Sequence, residues 1–467
     1  MLDTPFGKSV SVLDGRVMVH DEAAIASPAM DRLVRTAVFG GAEERDDARW
    51  LLWEIGQAIG VQPSSIHDLY MARGQGKTGG FTVPAMNIRG MSYDTGRALF
   101  RAAIKLKVGA LILEIARSEI AYTDQRPAEY VSVMLAAALR EGFRGPLFIQ
   151  GDHFQINSKK FAVDPVTEVN GVKQLVREAI AAGFYNIDVD TSTLVDLSKP
   201  NLQEQQRTNY EQAVELALAV RELEPEGVTI SIGGEIGEVG TQNSTVEELR
   251  AYMDGFNATL AKRARGTVGL SKISVQSGTT HGGVVLADGS IADVKIDFDT
   301  LATLSRVAKE EYGLSGAVQH GASTLPDTAF HNFPRTETAE IHLATNFQTM
   351  LYDNISAEFR NEIYEWLRVN AKDERKSSDS DEQFFYKTRK KALGPFKNRF
   401  WELPADVKAR LAKAYEEKFS FLFTQLAVVN TADTVRRFVK PVEQHKPPPH
   451  PDLATVDAAP DDADLSD

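Results

Sequence analysis

The chain has no cysteine among its 467 residues, which excludes disulfides, thiolate nucleophiles and cysteine-ligated zinc. Any metal has to be held by His, Asp or Glu. No apolar run approaches the roughly 18 residues that a membrane helix needs. The opening Met1-Leu2-Asp3-Thr4-Pro5-Phe6 lacks the basic start and apolar stretch of a secretory signal, so a cytoplasmic protein is the expectation. Positive charge is scarce: 52 Lys and Arg face 65 Asp and Glu, a net charge of −13, with a pI near 5.3. That balance argues against nucleic acid or a membrane surface as partner and leaves room for a local cationic site. A glycine-rich dinucleotide turn is also missing, since Asn87-Ile88-Arg89-Gly90-Met91-Ser92 is not one.

What is present is a regular alternation. Apolar residues make up 43% of the chain, enough for a large core. Residues 1–63 read as an N-terminal helical extension. In it Arg45 to Gly60 carries Trp50, Leu51, Trp53, Ile55 and Ile59 at near-helical spacing, and the tryptophans are expected to pack on the main domain or on a second subunit. From residue 64, β-rich runs recur at Phe81–Ile88, Ala110–Ala116, Leu147–Asp152, Asn186–Asp190, Thr229–Glu235, Lys272–Gly278, Ala317–His320 and Glu340–Thr345. Segments of helical period lie between them. Strands alternating with helices over 64–355 predict a (β/α)8 TIM barrel. Residues 356–440 read as a C-terminal helical extension. Its cluster Lys387, Arg389, Lys390 and Lys391 beside Phe384, Phe385 and Tyr386 suggests a solvated helix face or, less readily, a phosphate or nucleic-acid contact. The Pro-rich, acidic stretch 441–467 reads as a disordered tail.

Function in such a barrel collects at the carboxyl ends of the strands. Three of the nine histidines, His153, His281 and His320, stand at the ends of three different runs. Three imidazoles with an open fourth position suit a catalytic divalent ion, most simply Zn2+. Asp190 and Glu235 point into the same mouth, either to orient the imidazoles or to ligate an alternative metal position. His342 is a further candidate. His281-Gly282-Gly283, His320-Gly321-Ala322-Ser323 and Ala344-Thr345-Asn346 offer backbone N–H groups to an anion after strands six, seven and eight, where many barrels hold phosphate. The bland alternative is that these glycines only permit tight turns.

The ordered set of motifs resembles the class II, metal-dependent ketose-bisphosphate aldolases. It runs from Ile66-His67-Asp68-Leu69-Tyr70-Met71-Ala72-Arg73 and Phe81-Thr82-Val83-Pro84-Ala85-Met86-Asn87 through Gly151-Asp152-His153 and Ile187-Asp188-Val189-Asp190. It continues through Gly234-Glu235-Ile236-Gly237, Ser277-Gly278-Thr279-Thr280-His281-Gly282, His320-Gly321-Ala322-Ser323 and Leu343-Ala344-Thr345. The resemblance implies zinc on His153, His281 and His320, with Asp152 exchanging the proton of the aldehyde oxygen. It places Gly282, Gly321, Ala322 and Ser323 around the phosphate of dihydroxyacetone phosphate, in a pocket completed by His342, Leu343, Ala344, Thr345 and Asn346. The implied reaction is reversible cleavage of fructose or tagatose 1,6-bisphosphate to dihydroxyacetone phosphate and an aldehyde such as glyceraldehyde 3-phosphate, by a homo-oligomer.

The chain departs from that pattern at three places. His342 replaces an asparagine that contacts substrate. After strand five, the carboxylate that serves as base is absent from its usual place, leaving Glu238 as first substitute, ahead of Glu247 and Glu248. Glu114, near Arg117, replaces a glutamine, to read a different substrate group or to form a buried ion pair. The alternatives are a non-catalytic phosphosugar-binding subunit or a related lyase with another substrate. A metal-dependent hydrolase is disfavoured because Val83–Asn87 has no His-x-His pair.

Overall fold

The computed structural model describes residues 5–237, 242–278, 286 and 296–450. The eight runs all become strands: β1 (Val83–Asn87), β2 (Ile112–Ala116), β3 (Gly145–Gln155), β4 (Asn186–Asp190), β5 (Ser231–Glu235), β6 (Lys272–Val275), β7 (Ala317–Gln319) and β8 (Glu340–Leu343). Neighbours follow the order β3-β2-β1-β8-β7-β6-β5-β4, and β4 pairs back with β3 to close the barrel. Every pairing is parallel. Closure and an outer ring of helices bury both strand faces, which is why these strands lack the buried/exposed alternation of a sheet with one face in water; each residue of β1, β2, β4 and β5 is buried. The helices start on side-chain caps where the sequence supplies them. Asn201 accepts from the Glu204 N–H, and Thr245 and Glu248 cap each other's backbone reciprocally.

Strand β3 is longer than the expected Leu147–Asp152 and carries an irregularity that builds the site. Its register with β4 is regular at Gly151↔Ile187 and resumes at Phe154↔Val189, with a bulge between. In a regular strand, adjacent side chains point to opposite faces. The bulge lifts that restriction, and His153 adopts φ 41°, in the left-handed region, so Asp152 and His153 both face the barrel mouth. Gly151 is required here: a Cβ on it would lie 2.5 Å from the Phe154 ring, which is fully buried.

The extensions clasp the barrel. A hairpin (Val10–Leu13 with Arg16–Val19) and helices Pro28–Phe39 and Ala42–Ile59 lead into a ninth strand, Val61–Ser64, which pairs with the first half of β3. Trp53 and Pro63 both pack over Gly183 of the barrel side, so Trp53 meets the chain's own main body. Beyond β8, helix Ala405–Gln425 belongs to the C-terminal extension and sets Phe419 against Phe347, ring centroids 5.0 Å apart.

Segment 441–450 departs from the expected loose tail. It has no helix or strand but is pinned along helix Ala42–Ile59. Trp50 Nε1 donates to the Lys446 carbonyl at 2.9 Å and Trp53 Nε1 to that of Gln444 at 2.5 Å. His445 Nδ1 and the Lys446 N–H bond Glu54 at 2.7 and 2.8 Å. Proline makes a stretch poor in regular structure, and here indole and carboxylate groups satisfy its backbone instead. Residues 451–467 lie outside the described residues.

Candidate active site

Two imidazoles and a set of carboxylates converge at the carboxyl end of the barrel. His153 (β3) and His320, immediately after β7, lie with ring centroids 4.2 Å apart and planes tilted by 38°. His153 Nδ1 bonds Asp190 Oδ2 at 2.8 Å and lies 3.5 Å from Glu235 Oε2. That same carboxylate oxygen is 3.9 Å from His320 Nε2. Asp190 is fully engaged: Oδ2 also accepts from Gln155 Nε2 at 2.6 Å, and Oδ1 accepts from the Ser192 N–H and hydroxyl at 3.0 and 2.7 Å. His320 Nε2 meets Ser274 Oγ at 3.0 Å.

Asp152 sits between this group and a second one. Its Oδ2 accepts from Asn87 Nδ2 at 3.1 Å, and its Oδ1 contacts His342 Nδ1 at 3.1 Å and His153 Nε2 at 3.7 Å. His342 also bonds Glu340 through Nε2 at 2.8 Å and lies 3.2 Å from Glu114 Oε1. Below them Lys272 bonds Asp188, Gln150 and Glu340 at 2.9, 2.7 and 2.5 Å. The floor of the mouth is thus strongly anionic. Burial disfavours the imidazolium of His153, but Asp152, Glu235 and Asp190 outweigh it and hold its pKa well above the usual range. His342 is raised in the same way by Glu114 and Asp152 against its burial. Burial, reinforced by the Asp190 charge, pushes Glu235 well above an ordinary carboxylic acid.

The donor chemistry fits a divalent cation. Asp152, His153 and His320 each offer a ligand atom, all within 4.8 Å of one another, as do His153, Asp190 and Glu235. Dications are the natural counter-charge to such a cluster. Similar groupings around His342 exist, but both of its nitrogens are already spent on Asp152 and Glu340.

A cavity of about 530 Å³ opens over this floor. Its described lining includes Asp152, His153, His320, Gly321, Ser323, His342, Ala344 and Thr345. Gly321 turns the chain at φ 70°, and Ser323 Oγ accepts from the Ala344 N–H at 2.5 Å, tying the loops after β7 and β8 together. Ala322 and Leu343 are buried in the core, and neither they nor Asn346 are among the described lining residues. Three expected site residues, Glu238, His281 and Gly282, lie outside the described residues. Glu114 does not pair with Arg117. The Arg117 guanidinium, starting the helix after β2, bonds Glu168 at 2.6 Å, while Glu114 points into the barrel toward Gln150 and His342. Reading the sequence missed Asn87, Lys272 and Glu340, for which the one signal was a charged or amide side chain inside an otherwise apolar strand run.

Residues 73–399 match the profile described as fructose-bisphosphate aldolase class-II. The chain belongs to that family. The match spans the barrel and enters the C-terminal extension. No curated protein matches the chain in sequence. Among solved structures, the aldolase-family chain is similar to a probable tagatose 6 phosphate kinase from Sinorhizobium meliloti 1021, at 16% identity and TM-score 0.50 over 80% of this chain and 96% of that one. It is also similar to the fructuronate-tagaturonate epimerase UxaE from Cohnella laeviribosi, at 12% identity and TM-score 0.52 over 75% and 82%. A fructose-bisphosphate aldolase from Campylobacter jejuni aligns at 16% identity and TM-score 0.47 over 79% and 97%. At these identities the first two likenesses are of fold alone. No described helix is long and apolar enough to cross a membrane.

Proposed function

We propose that the protein is a zinc-dependent aldehyde-lyase that reversibly cleaves a ketose 1,6-bisphosphate, of fructose or tagatose configuration, to dihydroxyacetone phosphate and a phosphorylated aldehyde. The observation that carries this reading is the bulge in β3, which aims a carboxylic acid, Asp152, and an imidazole, His153, into the same cavity beside His320. Family membership supplies the reaction type, and the donor set supports the metal.

His153 and His320, with His281, would hold the ion, and a divalent cation there supplies electrophilic stabilisation of the negative charge that develops on the ketose carbonyl oxygen. Asp190 accepts from His153 Nδ1 and is saturated by Gln155 and Ser192, so it orients that imidazole rather than ligating. Glu235, within 4 Å of both imidazoles, stands nearest to them as an additional donor. Asp152 takes the proton of the hydroxyl that becomes the aldehyde oxygen during cleavage and returns it during condensation. Asn87 and His342 fix its two oxygens for that transfer. The tied loops at Gly321–Ser323 and Ala344–Thr345 orient the phosphate of the dihydroxyacetone half. Glu238 is the proposed carbon base.

The test is metal content followed by coupled cleavage of fructose and tagatose 1,6-bisphosphates, with and without chelator. Stoichiometric zinc, chelator-sensitive cleavage, and an Asp152→Ala variant that keeps its zinc while losing about 10²-fold or more in kcat are expected. A zinc protein that cleaves no ketose phosphate would defeat the proposal in favour of a phosphosugar-binding role. Loss of zinc from Asp152→Ala would make Asp152 a ligating or structural residue.

A further inference from the structure

The ladder between β2 and β3 stops at Ala116↔Asp152, yet β3 runs on through the bulge to Gln155. On the β4 side this end stays paired, through Phe154↔Val189 and Gln155↔Asp190, and the Ile156 N–H donates to the Asp190 carbonyl at 2.9 Å. On the β2 side the chain has already turned into helix Arg117–Thr123, and a side chain takes the place of the strand. Arg117 Nη1 donates to the Gln155 carbonyl at 2.6 Å and to Glu168 Oε1 at 2.6 Å. The same carboxylate oxygen accepts from the Asn157 N–H at 2.9 Å. Glu168 belongs to helix Pro165–Ala182 and is 5% exposed. Residues 155–157 are thus gripped by β4, by the first residue of the helix after β2, and by Glu168.

An ion pair on the open surface contributes little. This one differs because Glu168 is nearly enclosed and because each partner also bonds the backbone of residues 155–157, in charge-assisted bonds of the stronger kind. The grip reaches the imidazole through two side chains. Gln155 Nε2 donates to Asp190 Oδ2 at 2.6 Å, and His153 Nδ1 bonds that same oxygen at 2.8 Å. Fixing the Gln155 backbone therefore fixes one of the donors that hold Asp190, and Asp190 in turn sets the orientation of the His153 ring. Groups that orient a metal-binding imidazole from outside change metal affinity by about 10- to 100-fold when they are lost.

We propose that Arg117 and Glu168 are positioning residues for the metal site, clamping the end of β3 so that Gln155 and Asp190 hold His153 in place for a divalent ion. The proposal deepens the reading of the histidines as metal ligands and rests on it. It also gives Arg117 an effect opposite in sign to that of its charge. Arg117 lines the cavity, and a positive charge there repels a dication. Acting through charge alone, it would weaken zinc binding, and its removal would strengthen it. A clamp requires the reverse.

The experiment uses the full chain as wild type, as Arg117→Met, which keeps the apolar stem, and as Arg117→Lys, which keeps a charged donor. Zinc affinity is read by competition with a chromophoric chelator. Backbone amide exchange of residues 153–157 is followed by mass spectrometry in the chelated protein. Arg117→Met is expected to bind zinc about 10-fold more weakly and to exchange faster at residues 153–157, while the rest of the barrel keeps its wild-type rates. Arg117→Lys is expected to recover most of both. Unchanged or tighter zinc binding by Arg117→Met overturns the proposal. So does faster exchange throughout the barrel, which would make the pair a general stabiliser, and so does weaker zinc binding without a local change in exchange. A wild type that binds no zinc removes the metal reading alone, and the exchange arm then decides the clamp: faster exchange confined to residues 153–157 upholds it, and unchanged exchange overturns it.

Discussion

Gly151 governs the site without touching anything that reacts. The Phe154 ring closes over its Cα, and that packing holds the bulge that turns Asp152 and His153 to the same side. A methyl group at 151 has to push the ring or the strand aside. Gly151→Ala is expected to lose about 1–3 kcal/mol of stability and to weaken zinc binding, because His153 is carried on the displaced backbone. Denaturant unfolding of the chelated protein and zinc competition with a chromophoric chelator read the two effects separately. A variant with wild-type stability and zinc affinity would show that the bulge does not depend on this contact. His342 shows the same economy at residue scale: two residues beyond Glu340 on one strand, it shares that side chain's face and bridges it to Asp152.

At the scale of elements, the segment 441–450 acts as a strap over helix Ala42–Ile59. Both indole N–H groups and the Glu54 carboxylate spend their hydrogen bonds on residues 444–446, and the Lys446 ammonium sits 3.6 Å from the Trp53 ring centroid. Removing residues 442–467 leaves those groups to water and uncovers two nearly buried tryptophans. The truncated chain is expected to lose on the order of 3 kcal/mol, seen as a lower unfolding midpoint, with a red shift of tryptophan emission in the native state. Unchanged emission and midpoint would mean that the strap does not stay docked in solution. The strap was not legible because its partners are side chains nearly 400 positions away in sequence, and composition registers only its prolines.

For the molecule as a whole, acid stability depends on a histidine at the end of the barrel opposite the site. His67 is buried, and burial, with the Arg221 charge second, lowers its pKa to about 4. The unfolded chain titrates this group near 6.5 and so binds the proton first as pH falls. The resulting stabilisation is complete above about pH 6.5, declines toward pH 4 and amounts to about 3 kcal/mol. Urea unfolding of the wild type and of His67→Asn between pH 7 and 4.5 checks this, with the wild type showing the steeper decline. Parallel curves would assign the acid sensitivity elsewhere.

The count and order of the barrel strands and the residue types at the strand ends were legible, because strands buried on both faces and the helices between them impose their periods on the sequence. The ninth strand Val61-Gln62-Pro63-Ser64 was not, being short, proline-containing and defined only by its pairing with β3. Periodicity also places Asp152 and His153 on opposite faces; a bulge that depends on the fit of Phe154 over Gly151 reverses that. The chain by itself limited the side chains able to hold a metal to imidazoles and carboxylates on a barrel, since it offers no thiol. The tertiary structure alone decided that Asp152 bonds Asn87 and His342, that Arg117 serves Glu168 rather than Glu114, and that Lys390, of the basic cluster Lys387, Arg389, Lys390 and Lys391, lines the cavity. Those choices depend on distances between segments far apart in sequence, which are set only when the barrel closes and the extension packs against it.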